Sequence, residues 1–342
     1  MDSTLVLTVV IIGVALTFDF INGFHDAANS IATVVSTRVL TPGQAVIWAA
    51  FFNFVAAFSF GTGVARTVGS GMVDLHFVTP WVILAGLIGA ITWDLCTWWF
   101  GLPTSSSHAL LGGYAGAAIA HVAYVKGLAR AFDAILWNGW TMTLLFIVAA
   151  PLIGMALAYI FMVLVYWTFR NVTPRKMDKY FRRLQLISAA ALSWAHGTND
   201  AQKTMGIITG VLVTSGYLKT FHVPIAVILG AHAAIALGTL SGGWRIVKTM
   251  GQRLTRLKPR TGFCAESAAA VSILFATWLR LPVSTTHVTA GAIAGVGSIQ
   301  SLKAVRWGVA KDIVWAWVLT IPASALVGWA ALTVLHLFNS RL

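Results

Sequence analysis

Charge is what this chain lacks most. Of its 342 residues only 10% are Asp, Glu, Lys or Arg, against about a quarter in a soluble globular domain. That scarcity excludes an ordinary water-soluble fold. Acidic residues are the scarcer charge, 10 against 23 Lys and Arg, so each carboxylate inside an apolar run needs a reason. Cysteine is nearly missing. Cys96 and Cys264 lie far apart in apolar segments, make neither a disulfide framework nor a metal-ligand spacing, and read as packing residues. The N-terminus, MDSTLVLTVV, has no basic n-region and no small-residue cleavage site. It therefore reads as a retained first helix and not a signal peptide. A nucleophile elbow and a zinc-ligand motif are also missing, which argues against an intramembrane enzyme.

What is present is hydrocarbon. The chain is 58% hydrophobic, with a mean hydropathy of +0.81. Runs such as LVLTVVIIGVALTF, AVIWAAFFNFVAAFSF, WVILAGLIGAI and LLFIVAAPLIGMALAYIFMVLVYW each sit in a segment of the roughly 20 residues needed to span a bilayer. Fifteen Trp residues suit interfacial anchoring. The reading is an all-α polytopic membrane protein of the plasma (inner) membrane, whose partner is the lipid bilayer; a homo-oligomer is compatible with it. Helical segments are expected at 4–37, 43–65, 78–100, 104–121, 138–169, 184–214, 223–243, 263–280, 282–299 and 311–338, about ten in all. Those at 104–121 and 282–299 are short. FDFINGFHDAANS and SWAHGTNDAQK place Asn and Gly inside two others, where a helix is weak. The net charge of +13 is gathered in two loops, RNVTPRKMDKYFRR (170–183) and WRIVKTMGQRLTRLKPR (244–260). That is the positive-inside pattern of membrane topology, so no nucleic-acid partner is expected.

The chain repeats itself. PTSSSHALLGGYAG (103–116) returns as PVSTTHVTAGAIAG (282–295) at an offset of 179, matching Pro103 to Pro282, Ser105 to Ser284, His108 to His287, Gly112 to Gly291 and Gly116 to Gly295. Hydroxyls remain hydroxyls at Ser106/Thr285 and Ser107/Thr286. NGFHDAAN (22–29) returns as HGTNDAQK (196–203) at an offset of 174, pairing Asp26 with Asp200. The domain reading is a first membrane repeat at 1–170, a basic cytoplasmic linker at 171–183 and a second repeat at 184–342. The basic loop 244–260 corresponds to a near-neutral loop at 66–77, RTVGSGMVDLHF. Opposite loop charge at equivalent places indicates an inverted-topology repeat, an arrangement of secondary transporters.

Ionisable residues within membrane segments are functional candidates by default. Of Asp19, Asp26, Asp94, Asp200 and Glu266, only Asp26 and Asp200 have acidic repeat partners. The other three are expected to be helix-packing or interfacial residues. A proline suits the first position of a helix, so PTSSSH predicts a helix start with Thr104 to Ser107 in its first turn. Free N–H groups, the helix dipole and added hydroxyls would there favour an anion. Two such starts would wrap it from both sides, with Gly112/Gly116 and Gly291/Gly295 allowing close packing. His25, His108 and His287 are expected to support the ligand-binding groups and not to hold the ligand. Ionised carboxylates only accept hydrogen bonds. Phosphate keeps a proton at neutral pH and can donate it to Asp26 or Asp200, whereas sulfate has none to give. Asn29 aligns with Lys203, and His25 with Asn199. A lysine would repel a cation there, so H⁺ coupling through Asp26, Asp200 and Lys203 is expected, with no metal and no cofactor.

HDAANS and TNDAQK, followed by PTSSSH and PVSTTH, resemble the inorganic phosphate transporter family, over nearly the whole chain. The resemblance implies an inverted-repeat symporter with broken helices and short re-entrant-type helices, moving phosphate with H⁺ or Na⁺ through a site between its halves. It implies that Asp26, Asn29, Ser105, Ser106, Ser107, Asn199, Asp200, Ser284, Thr285 and Thr286 line that site. Two departures bear on coupling. The family's first motif usually reads Asn-Asp where this chain has His25-Asp26. Gln202 and Lys203 depart from the Na⁺-coupled pattern. The alternatives are Na⁺-coupled phosphate symport and a permease for sulfate or another tetrahedral oxyanion.

Overall fold

In hydrocarbon a backbone must satisfy its own hydrogen bonds, and a helix does this within one segment. The apolar runs accordingly fold as helices in a computed structural model, which describes residues 3–59 and 61–338. The described residues form thirteen α-helices: α1 (Ser3–His25), α2 (Ala27–Ser36), α3 (Pro42–Val55), α4 (Gly63–Ser70), α5 (Pro80–Phe100), α6 (Ser106–Lys126), α7 (Trp137–Thr168), α8 (Pro174–Thr214), α9 (Ile225–Ser241), α10 (Trp244–Lys248), α11 (Pro259–Trp278), α12 (Thr285–Gln300) and α13 (Trp307–Phe338). Joining α1 to α2, α3 to α4 and α9 to α10 leaves ten segments. Among the described residues, five helices, with α1 and α2 counted together, are long and apolar enough to cross a membrane, or seven if two bent pairs are each one span.

The repeat is inverted. Thr8 near the start of α1 donates to Ser215 at the end of α8, at 2.9 Å. Thr37, just past α2, donates to Gln185 in the first part of α8, at 2.9 Å. The α1–α2 pair and its sequence equivalent α8 therefore run in opposite directions. One face of the molecule carries Ser215 and the other carries Arg182. Both basic loops lie on the Arg182 face, where Arg260 reaches Met177 at 3.5 Å and Ser36 donates to the Gly251 carbonyl. The basic residues at 174–183 are the first turns of α8.

The short segments re-enter. The base of α5–α6 is closed by Asp74 N–H to Ala134 C=O at 2.9 Å and Leu136 N–H to Met72 C=O at 3.1 Å. The base of α11–α12 is closed by Arg306 N–H to Leu254 C=O at 3.0 Å and by the Thr255 hydroxyl to Ala304 C=O at 3.1 Å. Each hairpin thus leaves by the face it entered. They enter from opposite faces, because α7 runs from Met72, bonded by Trp140 at 3.1 Å, to Phe181, whose ring is 5.2 Å from Phe169. At 1.5 Å per residue the 16 residues of α12 reach only about 24 Å, short of a bilayer core of about 30 Å.

The hairpins pack crosswise. Helix α6 of the first half lies on α13 of the second, and α12 lies on α7 of the first. A methyl group at Gly116 would strike the Ala325 carbonyl, and one at Gly291 the Pro151 carbonyl. The paired glycines are what let these backbones meet. The most apolar windows of α7 and α13 are only 17% and 22% buried, so these two helices form the lipid-facing wall, while α6 and α12 are almost wholly enclosed.

Two local expectations change. The Asn- and Gly-containing motif of the first half breaks its helix at Asp26, which has φ −91° and ψ 3°. The second motif does not: α8 runs unbroken for 41 residues. Asp200 is held along its own helix by His196 four residues before it and Lys203 three after it. Pairs at those spacings meet only on an intact helix. Prolines 103 and 282 also do not open their helices. Ser105 and Ser284 are the N-caps, each accepting from the backbone N–H three residues on, His108 and His287, at 3.2 Å. Each proline lies two residues before its cap, outside the helix.

Candidate functional site

The hairpin tips meet the two Asp motifs between the halves. Asp26, freed at the helix break, is a 2%-exposed carboxylate. It accepts from Ser106 of the first hairpin and Thr286 of the second, both at 3.4 Å. Its neighbour His25 lies 2.8 Å away through Nδ1, and the other ring nitrogen of His25 faces Thr97 at 3.1 Å. Asn29, one turn along α2, donates to Thr285 at 3.2 Å and Thr286 at 2.9 Å. Each half thus supplies donors to the other.

The second half repeats the scheme with one substitution. Asp200 accepts from Thr285 at 3.1 Å. Symmetry would give it Ser107 as the second hydroxyl. Instead the Lys203 ammonium stands between them, donating to Asp200, to Ser107 and, at 2.9 Å, to the Val283 carbonyl. Lys203 is only 2% exposed. A buried ammonium needs partners of this kind, because its desolvation is expensive.

The expected residues therefore divide. Asp26, Asn29, Ser106, Ser107, Asp200, Lys203, Thr285 and Thr286 come together. Ser105 and Ser284 use their oxygens as caps. Asn199 turns aside, donating to Thr277 at 2.8 Å and to the Leu281 carbonyl at 3.2 Å. His108 and His287 pack on each other behind the caps, with centroids 4.9 Å apart. His287 also stacks on Trp317 at 3.8 Å. Its Nδ1 lies 3.4 Å from the Ile147 carbonyl, which Pro151, four residues on in α7, leaves without its helical partner. The rings of both histidines thus pack behind the helix starts and outside the group of residues gathered around Asp26 and Asp200.

Sequence reasoning missed His196. Its Nε2 lies 3.2 Å from Asp200, and its other ring nitrogen faces Asn53 at 3.2 Å. The signal was available as a His four residues before an Asp on one helix. One ligand atom each from Asp26, His196 and Asp200 lies within 4.8 Å of the others, so the carboxylates of the two halves nearly face each other. Two like charges that close require a proton, a cation or a donor between them. Glu266 satisfies the expectation of a packing residue. It accepts from Thr33 at 2.5 Å, Gln185 at 2.8 Å and Ser188, which ties α2, α8 and α11 together.

The phosphate transporter family model matches residues 22–328, which include both motif pairs. A probable low-affinity inorganic phosphate transporter of Rhizobium meliloti (strain 1021) is 54% identical over 96% of each chain. One of Bacillus subtilis (strain 168) is 44% identical over 98% of this chain and 99% of its own. A solved structure, the sodium-dependent phosphate transporter, superposes with a TM-score of 0.87 at 25% identity, covering 97% of this chain and 99% of that one. With the match running through every element of the site, this multi-pass membrane protein belongs to the phosphate transporter family.

Proposed function

We propose that the chain is a secondary-active symporter that imports inorganic phosphate across the plasma membrane with H⁺, by alternating access. The observation that carries this reading is the asymmetric centre of the site. Hydroxyl and amide donors from both halves surround two close carboxylates, and a lysine fills the place that Asn29 holds in the other half. Such a site offers donors to an anion and acceptors to its proton. Phosphate supplies that proton at neutral pH and sulfate does not, which favours phosphate as cargo. Lys203 supplies a fixed positive charge beside Asp200, which leaves H⁺ as the ion that moves.

A second reading, Na⁺-coupled phosphate symport, is favoured by the grouping of Asp26, His196 and Asp200, a set that could hold a cation, and by the sodium dependence in the name of the structural neighbour. Uptake of labelled phosphate into proteoliposomes separates the two. An imposed pH gradient is expected to drive accumulation and a Na⁺ gradient is not. Excess sulfate is expected not to compete. Accumulation driven by Na⁺ alone would select the second reading. Full uptake by both Asp26→Asn and Asp200→Asn would reject the site.

A further inference from the structure

A cavity of about 660 Å³ opens beside the tip of the α11–α12 hairpin, lined by Arg66, Thr67, His222, Thr277 and Arg280 among others. Its lining includes 221–223, which follow the end of α8, so it lies toward the Ser215 face, away from the basic loops. Among the described residues, no carboxylate lines it. We infer that this cavity is an antechamber that receives the oxyanion on Arg66 and Arg280 before it reaches the central site.

Four observations support the assignment. The first is continuity with the site. Thr277 in the cavity wall accepts from Asn199, the neighbour of Asp200, at 2.8 Å. Gln202, the neighbour of Lys203, accepts from Val64 and Ala65 at 2.9 and 3.3 Å and so fixes the helix that carries Arg66. The second is anchoring across the cavity, since Thr67 donates to the Arg280 carbonyl at 2.9 Å.

The third is backbone conformation. Arg280 has φ +62°, a left-handed conformation that disfavours any side chain with a Cβ. Its repeat equivalent at an offset of 179 is Gly101, with φ +66°. The fold needs a left-handed residue at each hairpin tip, and glycine is the unstrained choice. The second tip nevertheless carries an exposed guanidinium at the cavity mouth.

The fourth is the comparison across the pseudo-symmetry axis. Arg66 corresponds to Arg245 at the same offset of 179. There the space is shut. Arg245 lies over Trp98 and Trp99, 5.3 and 4.5 Å from their ring centroids, and donates to the Trp99 carbonyl. Thr249 closes onto the Gly101 carbonyl at 2.9 Å. The same element pair is thus sealed toward the basic face and open toward the other. Convergent positive charge in such a concavity concentrates anions at its mouth.

The inference rests on phosphate being the cargo, and its test separates the two. Phosphate uptake is measured in proteoliposomes for wild type, R280G and R66Q/R280G, at low salt and at about 0.5 M salt. R280G removes the charge and relieves the backbone, so its thermal unfolding midpoint is expected to equal or exceed that of wild type. At low salt its half-saturating phosphate concentration is expected to rise about fivefold, and that of the double variant about tenfold or more, with maximal rates within twofold. At high salt, where the Debye length falls to roughly 4 Å, the three proteins are expected to converge. A double variant with wild-type half-saturation at low salt overturns the antechamber. So does a rise that persists undiminished at high salt. A wild type that takes up no phosphate defeats the proposed function itself.

Discussion

Lys203→Met removes one charge from the centre of the protein and keeps most of the side-chain length. The ammonium now touches Asp200, Ser107 and the Val283 carbonyl. A phosphate oxygen accepting the Ser107 hydroxyl would lie about 5 Å from that nitrogen. With an effective dielectric of about 20, one charge pair at that distance is worth about 3 kcal/mol, or roughly two orders of magnitude in affinity. Half-saturating phosphate in proteoliposome uptake is therefore expected to rise about a hundredfold. The substitution also strands Asp200, and breaking a buried pair costs about 3–5 kcal/mol of stability. The double variant Asp200→Asn/Lys203→Met controls for that, since it leaves no stranded charge. If Lys203 serves the anion, the double variant unfolds near the wild-type temperature yet binds phosphate far more weakly than Asp200→Asn alone. If Lys203 serves only Asp200, the double variant and Asp200→Asn alone bind phosphate equally. A double variant within threefold of Asp200→Asn alone, or an unchanged half-saturation in the single Lys203→Met variant, would refute the reasoning.

Glu266→Ala is expected to destabilise the protein by about 3 kcal/mol or more, read as a lower thermal midpoint in detergent. Three buried donors, on Thr33, Gln185 and Ser188, then lose their acceptor. Glu266→Gln should fall between, since it retains an acceptor oxygen. Thr286→Val keeps the shape at the hairpin tip but leaves Asn29 without its 2.9 Å acceptor and removes one of the two hydroxyl donors to Asp26. A loss of about tenfold in phosphate affinity is expected, with folding retained. Gly291→Val should block the approach of α12 to the Pro151 carbonyl. It is expected to abolish the monodisperse peak in size-exclusion chromatography.

Much of this architecture was legible in the residues. Asp26 and Asp200 stood out because a repeat offset paired them, and the fold brings them face to face. The loops 170–183 and 244–260 fall on one face, as their lysines and arginines required. What could not be read has a common physical cause. Repeat alignment compares local sequence, while caps, breaks and re-entry depend on what lies across the gap. PTSSSH and PVSTTH could begin a helix at the proline or at the serine. The bond from the His108 N–H to the Ser105 oxygen decides it, and that choice is made by the tip's packing against Asp26 and Lys203. HGTND looks as breakable as HDAAN, but His196 and Lys203 give Asp200 partners on its own helix, whereas Asp26 finds its hydroxyls on other elements. Re-entry is set by Asp74 meeting Ala134 and Arg306 meeting Leu254, contacts between stretches of no recognisable pattern.

The crosswise packing of the hairpins imposes an order on biosynthesis. Helix α6 ends at Lys126, but the surface that covers it belongs to α13, which begins at Trp307. The first hairpin therefore leaves the ribosome long before its cover exists. Until then its Gly112/Gly116 face must be screened by lipid, by the insertion machinery or by transient neighbours. Helix α13 locks the first half shut only when it emerges, so a ribosome that stops before residue 307 releases neither one finished half nor two.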